Sequence, residues 1–190
     1  MRGDMAQFAV LFDMDGLLID SEPLWLAAET EVIERLGGAP WTAADQLALL
    51  GGSLSRTISY LLARASRPQP PKVVADWLMS GIEQTVRRDG VPLQPGAAGL
   101  LAEVEAAGLP HALVTSSERG FMEAVLDSTG LRFDVTVCAA DVPVTKPDPA
   151  PYRLAAELVG VKPGRCWVLE DSPNGVASAE AAGCRVIAVP

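Results

Sequence analysis

The segment Ala9-Val10-Leu11-Phe12-Asp13-Met14-Asp15-Gly16 begins as a continuous apolar run and ends abruptly in two carboxylates and a glycine. Four consecutive apolar residues are typical of a short strand that is buried on both faces, as in a parallel sheet. Asp13 and Asp15 then follow the carboxyl end of that strand, which is where open parallel sheets bind their ligands. We therefore predict that this segment is the first strand of an α/β domain and leads into a functional site.

The rest of the chain alternates between apolar runs and helical patterns, apart from one purely helical stretch. After Pro95-Gly96, helical patterns separate apolar runs at residues 111–114, 135–140, 167–169 and 186–189. This alternation predicts a doubly wound parallel sheet, a Rossmann-like α/β fold. Between residues 19 and 92 only helical patterns occur, with Ser21 and Ser55 as candidate N-caps. We predict an α/β core over residues 1–18 and 93–190, and a helical cap insertion over residues 19–92.

Composition narrows the class of protein. The 190 residues are 49% hydrophobic and carry a net charge of −9, the wrong sign for generic nucleic-acid binding. Cys138, Cys166 and Cys184 are far apart among apolar residues, so we predict no disulfide framework and expect a reducing cytoplasm. No apolar run approaches the roughly 20 residues of a membrane span, and we see no secretory leader. We expect a cytoplasmic monomer without nucleic-acid or membrane partners, and leave an oligomer open.

Four polar clusters follow apolar runs or stand in a rigid loop. They are Asp13 with Asp15, Thr115-Ser116-Ser117, Lys146 between prolines, and Glu170-Asp171. Each alone has a structural explanation: an acidic turn, a helix cap or a surface lysine. Together, at the same edge of a sheet, the carboxylates predict a site for Mg²⁺, which prefers oxygen ligands. The single histidine disfavours zinc, and Leu18 stands where a calcium-binding EF-hand loop needs glycine.

In this order, the clusters resemble the four motifs of the haloacid dehalogenase-like hydrolases. The matching segments are Phe12-Asp13-Met14-Asp15-Gly16, Val114-Thr115-Ser116-Ser117, Lys146-Pro147 and Glu170-Asp171-Ser172-Pro173-Asn174-Gly175. The stretches Asp13–Glu22 and Ala181-Ala182-Gly183 resemble the branch that contains β-phosphoglucomutase and small sugar-phosphate phosphatases. In that branch a helical cap is inserted after the first motif, as predicted here for residues 19–92. Two departures are Ala150, where the family often has an acidic residue, and the end of the chain directly after the last predicted strand.

The resemblance implies a role for each cluster. Asp13 would attack the phosphorus atom, and Asp15 would act as general acid and then as general base. Thr115, Ser116 through its amide, and Lys146 would bind the phosphoryl oxygens. Mg²⁺ would be held by Asp13, the main-chain carbonyl of Asp15, and Asp171, with Glu170 in support. In the cap, we predict substrate contacts from Glu22 and from Arg56, which follows the loop Gly51-Gly52-Ser53.

The predicted activity is Mg²⁺-dependent hydrolysis of a small phosphorylated metabolite, such as a sugar phosphate. One alternative is a phosphosugar mutase of the β-phosphoglucomutase kind, and a more remote one is a metabolite-binding regulator without turnover. Carbon–halogen cleavage is disfavoured because the dehalogenases lack the second aspartate, here Asp15. A Ser-His-Asp hydrolase is remote because His111, the only histidine, stands at the start of the strand that leads to Thr115.

Overall fold

A computed structural model describes residues 8–49 and 54–189. The chain forms two compact units: Met1–Asp20 with Val91–Pro190, here called the α/β unit, and Ser21–Gly90, here called the helical unit. The boundaries lie two residues inside the predicted insertion. Two backbone contacts account for this: the amide of Asp20 donates to the carbonyl of Pro92 at 3.0 Å, and Ile19 forms an antiparallel bridge with Leu93.

The described residues contain five strands and eight α-helices, in an order that alternates after residue 96. The strands are β1 (Ala9–Phe12), β2 (His111–Val114), β3 (Val135–Val137), β4 (Cys166–Glu170) and β5 (Arg185–Ala188). The helices are α1 (Glu22–Arg35), α2 (Ala43–Leu49), α3 (Leu54–Ala63), α4 (Pro71–Asp89), α5 (Ala97–Ala106), α6 (Arg119–Thr129), α7 (Ala150–Leu158) and α8 (Pro173–Ala182). None of the helices in these ranges is long and apolar enough to cross a membrane.

The α/β unit is built on one parallel sheet with the strand order β3-β2-β1-β4-β5, which confirms the predicted fold class. β1 lies at the centre, and Phe12 is paired with Leu113 on one side and Leu169 on the other. Because the three strands are in register, the residues after them emerge at the same edge of the sheet. The register therefore places Asp13 level with Val114 and Glu170.

One face of the sheet is covered by α7 and α8. Alternate strand residues such as Ala9 and Leu11 point into this core, as expected for a strand with a period of two. The helices contribute mostly alanine, which lets them lie close to the sheet, and Tyr152 is the bulkiest of their buried side chains. The packing therefore fixes Tyr152 directly beneath the carboxyl ends of the strands.

The helical unit is held together mainly by α1 and α4. Buried residues recur every four positions on α4, at Val74, Leu78, Ile82 and Val86, which gives it one apolar stripe. A second, polar contact joins α2 to α3: buried Asp45 accepts hydrogen bonds from Thr42 at 2.8 Å and from the Tyr60 hydroxyl at 2.7 Å. Tertiary hydrogen bonds therefore stabilise a helix that has only seven residues.

Some local predictions were wrong, and the predicted N-cap position of Ser21 was confirmed without the expected side-chain hydrogen bond. α2 was not predicted because only Asp45 and Leu49 of it are buried, which is too short a pattern to recognise. Ser55 lies inside α3 rather than at its cap, and Ser21 stands at the N-cap of α1 without a side-chain hydrogen bond to it. β3 ends earlier than predicted because residues 139–141 form a 3₁₀ turn, in which the Asp141 carboxylate accepts from the Cys138 amide at 2.9 Å.

Candidate active site

The loop after β1 turns back sharply and carries both predicted acidic residues. The Asp13 amide donates to the carbonyl of Leu169 at 3.1 Å, and the Gly16 amide donates to that of Ile19 at 3.0 Å. Gly16 has a φ of +84°, and a Cβ atom there would lie 2.1 Å from Oδ2 of Asp171. Glycine is therefore required for two reasons, backbone conformation and the close approach of Asp171. No role was predicted for Gly16.

Lys146 joins the first and last clusters. Its side chain is 5% exposed, and its ammonium donates to Oδ1 of Asp13, to Oε1 of Glu170 at 2.6 Å and to the carbonyl of Val114 at 2.8 Å. An ammonium has three protons, so all of them have acceptors. The structure thus brings Asp13, Lys146 and Glu170 together. It places Lys146 on two carboxylates, whereas the predicted role was to bind phosphoryl oxygens.

Glu170 is fully buried and is the centre of the hydrogen-bond network. Oε1 also accepts from the Tyr152 hydroxyl, and Oε2 accepts from the Ser172 hydroxyl at 3.1 Å. Ser172 in turn caps α8 by accepting from the Gly175 amide at 3.0 Å. A Cβ atom on Gly175 would lie 1.9 Å from the Glu170 carboxyl group. Ser172 and Gly175 stood in the recognised motif without a predicted role, whereas nothing in the sequence singled out Tyr152.

Asp15 lies against the cluster that follows β2. Its Oδ2 accepts from the Ser117 hydroxyl at 2.8 Å and from Thr115 at 3.3 Å, and the Ser117 amide donates to Thr115 Oγ1 at 3.0 Å. Thr115 is buried and Ser116 is exposed. The structure therefore unites Thr115 with Asp15 and adds Ser117, which had no predicted role. The phosphate-binding roles of Thr115 and Ser116 stay predictions.

The site concentrates negative charge in a buried place. The pKa of Asp13 is raised to about 8, mainly by burial and also by Glu170 and Asp15, against the lowering effect of Lys146. Burial and the neighbouring Glu170 also raise the pKa of Asp171. Burial disfavours the Lys146 ammonium, but Asp13 and Glu170 outweigh it and raise the pKa of that lysine. One ammonium faces several carboxylates, so an additional cation would stabilise their ionised forms.

The donor atoms fit a hard divalent cation. Asp13, Glu170 and Asp171 each offer a carboxylate oxygen, and these oxygens lie within 4.8 Å of one another. An all-oxygen set of carboxylates suits Mg²⁺ and not the softer transition metals. These residues could therefore hold Mg²⁺, and the raised pKa values of Asp13 and Asp171 are the ones that a bound cation would lower.

The predicted substrate contacts belong to the helical unit. Glu22 is the first residue of α1, and its Oε2 accepts a hydrogen bond from the side-chain amide of Gln46 at 3.2 Å. Arg56 is an exposed residue within α3. The loop Gly51-Gly52-Ser53, from which its role was argued, lies outside the described residues. Both roles stay predictions.

Known proteins resemble this chain over nearly its whole length. Residues 10–189 match the family model described as haloacid dehalogenase-like hydrolase. Hexitol phosphatase A of Escherichia coli is 36% identical over 181 residues, which is 94% of this chain and 81% of that protein. The crystal structure of CbbY from Rhodobacter sphaeroides in complex with phosphate superposes with a TM-score of 0.84 at 31% identity, covering 98% of this chain and 87% of that one.

A third relative bears on the branch of the family. A Thermotoga maritima structure assigned as a β-phosphoglucomutase superposes with a TM-score of 0.81 at 30% identity, and the match covers 96% of this chain and 85% of that one. The order of the motifs, the parallel sheet and these similarities agree with one another. The chain therefore belongs to the haloacid dehalogenase-like hydrolases, in the branch that contains β-phosphoglucomutase and the sugar-phosphate phosphatases.

Proposed function

We propose that this protein is a Mg²⁺-dependent phosphatase that hydrolyses a small sugar or sugar-alcohol phosphate through an aspartyl-phosphate at Asp13. The observation that carries the proposal is the buried contact between Asp13 and Lys146 at the edge of the sheet where Asp171 and Thr115 also lie. The similarity to hexitol phosphatase A supports the substrate class.

In the first step, a carboxylate oxygen of Asp13 forms a bond to phosphorus while the bond from phosphorus to the substrate alcohol breaks. Asp15 gives its proton to the departing oxygen, which needs one to leave as an alcohol. The hydrogen bonds from Ser117 and Thr115 hold the Asp15 carboxyl group in one orientation. Lys146 favours the ionised, nucleophilic form of Asp13, because it opposes the effect of burial on the pKa of that group, and a bound Mg²⁺ would favour the same form further.

In the second step, Asp15 takes a proton from water, and the water oxygen displaces the Asp13 carboxylate from phosphorus. Phosphate leaves, and both aspartates return to their starting states. When bound by Asp13 and Asp171, Mg²⁺ would supply positive charge that offsets the repulsion between carboxylates and phosphate. The same excess of carboxylates makes the site dependent on that charge.

The test is phosphate release from hexitol phosphates, hexose phosphates, phosphoglycolate and nucleotides, each with Mg²⁺ and with a chelator. We expect turnover of a sugar or sugar-alcohol phosphate that the chelator abolishes. Asp13→Asn should lose at least about a thousandfold in kcat. Asp76→Asn, an exposed change on α4, is the matched control and should behave like the native protein. Full activity of Asp13→Asn would disprove the proposed nucleophile.

The similarity to the β-phosphoglucomutase structure gives the mutase as the second candidate. Conversion of a sugar 1-phosphate into its 6-phosphate without release of phosphate would identify it. Magnesium binding is measured separately, by calorimetric titration. Asp171→Asn should weaken Mg²⁺ binding at least about tenfold, because it removes one charged oxygen ligand.

A further inference from the structure

Two cysteines that are eighteen positions apart in sequence stand at the start of neighbouring strands, since Cys166 begins β4 and Cys184 directly precedes β5. β4 and β5 are paired with Trp167 opposite Arg185, so the preceding residues, Cys166 and Cys184, form the next pair outward. Neighbouring strands are about 4.8 Å apart. Disulfides join residues whose Cα atoms are roughly 4.4–6.8 Å apart. The register therefore holds these two cysteines at a separation that a disulfide can span.

The two side chains also point to the same face of the sheet. Cys166 belongs to the core beneath α7 and α8, together with Val168, and Cys184 packs against that core together with Val186. Cys184 lowers the pKa of the Cys166 thiol, and Cys166 together with burial raises the pKa of the Cys184 thiol. The Cys166 thiol also donates to the carbonyl of Lys162 at 3.6 Å and to that of Val161 at 3.8 Å. Both cysteines are reduced in the structure.

We infer that Cys166 and Cys184 form a redox-reactive dithiol that a hydroperoxide converts reversibly into a disulfide. Cys166 is buried, whereas Cys184 is half-buried at the edge of the sheet, where a small oxidant can reach the pair. Cys138 lies after β3, away from this strand pair, and its thiol donates to Oδ2 of Asp141 at 3.2 Å. This inference does not depend on the proposed phosphatase activity.

One molecule of hydroperoxide is sufficient to oxidise the two thiols to a disulfide. One thiol loses its proton, its sulfur attacks an oxygen of hydrogen peroxide, the O–O bond breaks, and the leaving hydroxide takes up that proton, so that a sulfenic acid and water are formed. The second thiolate then attacks the sulfenic sulfur, the S–S bond forms, the S–O bond breaks, and a second water leaves. Two thiols are oxidised by two electrons in all, and a dithiol reductant reverses the reaction.

The disulfide would close the segment that contains β4 and α8 and that ends directly before β5. Glu170, Asp171 and the cap residue Ser172 all lie on this segment. β5 is an edge strand, and Ile187 on it is 45% exposed. Oxidation would therefore tie the edge strand covalently to the strand that carries the acidic cluster.

Trypsin gives a direct test, because cleavage after Arg165 and Arg185 releases both cysteines in one peptide, residues 166–185. The reduced, folded protein is treated with hydrogen peroxide, its remaining thiols are alkylated in urea, and the digest is analysed by mass spectrometry. We expect this peptide to carry no alkyl group and to weigh two hydrogen atoms less than its dithiol form. Dithiothreitol should restore both labels, and Cys138 should stay labelled throughout.

Two controls separate proximity in the fold from simple reactivity. In Cys184→Ser, the peptide of residues 166–185 should not lose the mass of two hydrogen atoms, because Cys166 has no partner thiol within it. The native chain unfolded in urea should form the crosslink more slowly than the folded protein. The inference is overturned if both cysteines of residues 166–185 stay alkylatable in the folded protein, if they gain oxygen without crosslinking, or if the unfolded chain reacts as fast.

Discussion

Substitution of Gly175 by alanine tests whether the position of Glu170 controls activity. The new Cβ atom would lie 1.9 Å from the Glu170 carboxyl group, whereas ordinary van der Waals contact begins at 3.4 Å. The carboxyl group must therefore move by about 1.5 Å, which is the difference between these two distances. Such a movement breaks its 2.6 Å bond to Lys146 and its 3.1 Å bond to Ser172. Misplacement of a catalytic site by about 1 Å can cost roughly 100-fold in rate. We expect a loss of that size in kcat.

The substitution should also lower the stability of the fold. Overpacking costs about 1–3 kcal/mol, whereas alanine in place of glycine within a helix contributes about 1 kcal/mol, so packing alone lowers the free energy of unfolding by about 0–2 kcal/mol. The two broken hydrogen bonds of Glu170 add to this loss, and urea unfolding with tryptophan fluorescence measures the sum. Gly99→Ala is the matched control, because Gly99 also lies in a helix and its Cβ would meet nothing within 4 Å.

The assay is steady-state hydrolysis of p-nitrophenyl phosphate with saturating Mg²⁺, which measures the site without knowledge of the natural substrate. Gly99→Ala should keep the native kcat and gain about 1 kcal/mol in the free energy of unfolding. If Gly175→Ala were folded and retained the native kcat, the reasoning that Glu170 fixes the site geometry would be wrong.

Three further predictions concern other buried polar groups. Glu29 is 3% exposed and burial raises its pKa to about 7 from 4.5, so the folded state favours its neutral form and loses stability as the pH rises from 4.5 to 7. Urea unfolding should show Glu29→Gln to be more stable than the native protein by about 2–3 kcal/mol at pH 8 and about equal at pH 4.5; an equal gain at both pH values contradicts this. Tyr152→Phe removes a hydrogen bond to Glu170 and should lower both kcat, by about tenfold, and the free energy of unfolding, by about 1.5–3 kcal/mol. Tyr60→Phe, which removes a similar bond to Asp45, should lower only the free energy of unfolding. A loss of kcat in both variants would count against a specific role for Tyr152. Gly16→Ala should weaken Mg²⁺ binding in calorimetry, because its Cβ displaces Asp171; unchanged binding would mean that Asp171 does not contribute.

The sequence predicted the part of the candidate site that lies at the carboxyl ends of the strands. The sequence predicted that Asp13 and Glu170 lie close together, because parallel strands in register place the residues at their carboxyl ends at one edge of the sheet. The bond from Tyr152 to Glu170 could not be predicted, because it depends on how α7 packs beneath the sheet. The same holds for Ser117, whose contact with Asp15 joins residues 102 positions apart. Side-chain partners chosen by tertiary packing leave no periodic signal in the sequence.

The two neighbouring cysteines are a second case in which the sequence did not predict a contact. Cys166 and Cys184 appeared unrelated because their spacing matches no known pattern, yet the pairing of Trp167 with Arg185 makes them neighbours. Register is a property of two strands at once, so a pattern read along one strand does not contain it. α2 was missed for a related reason, since its stability comes from the partners of Asp45 and not from its own seven residues.

The paired backbone at residues 19–20 and 92–93 has a consequence for how this architecture can change. The chain leaves the α/β unit at Asp20 and returns at Val91, and a 3.0 Å hydrogen bond from Asp20 to Pro92 joins the two backbones. An insertion whose ends are already adjacent costs the sheet little, whatever its length or sequence, because the ends are brought together by the host unit. Evolution can therefore exchange one insertion for another, or shorten it to a turn, while the carboxylates at the strand ends keep their places.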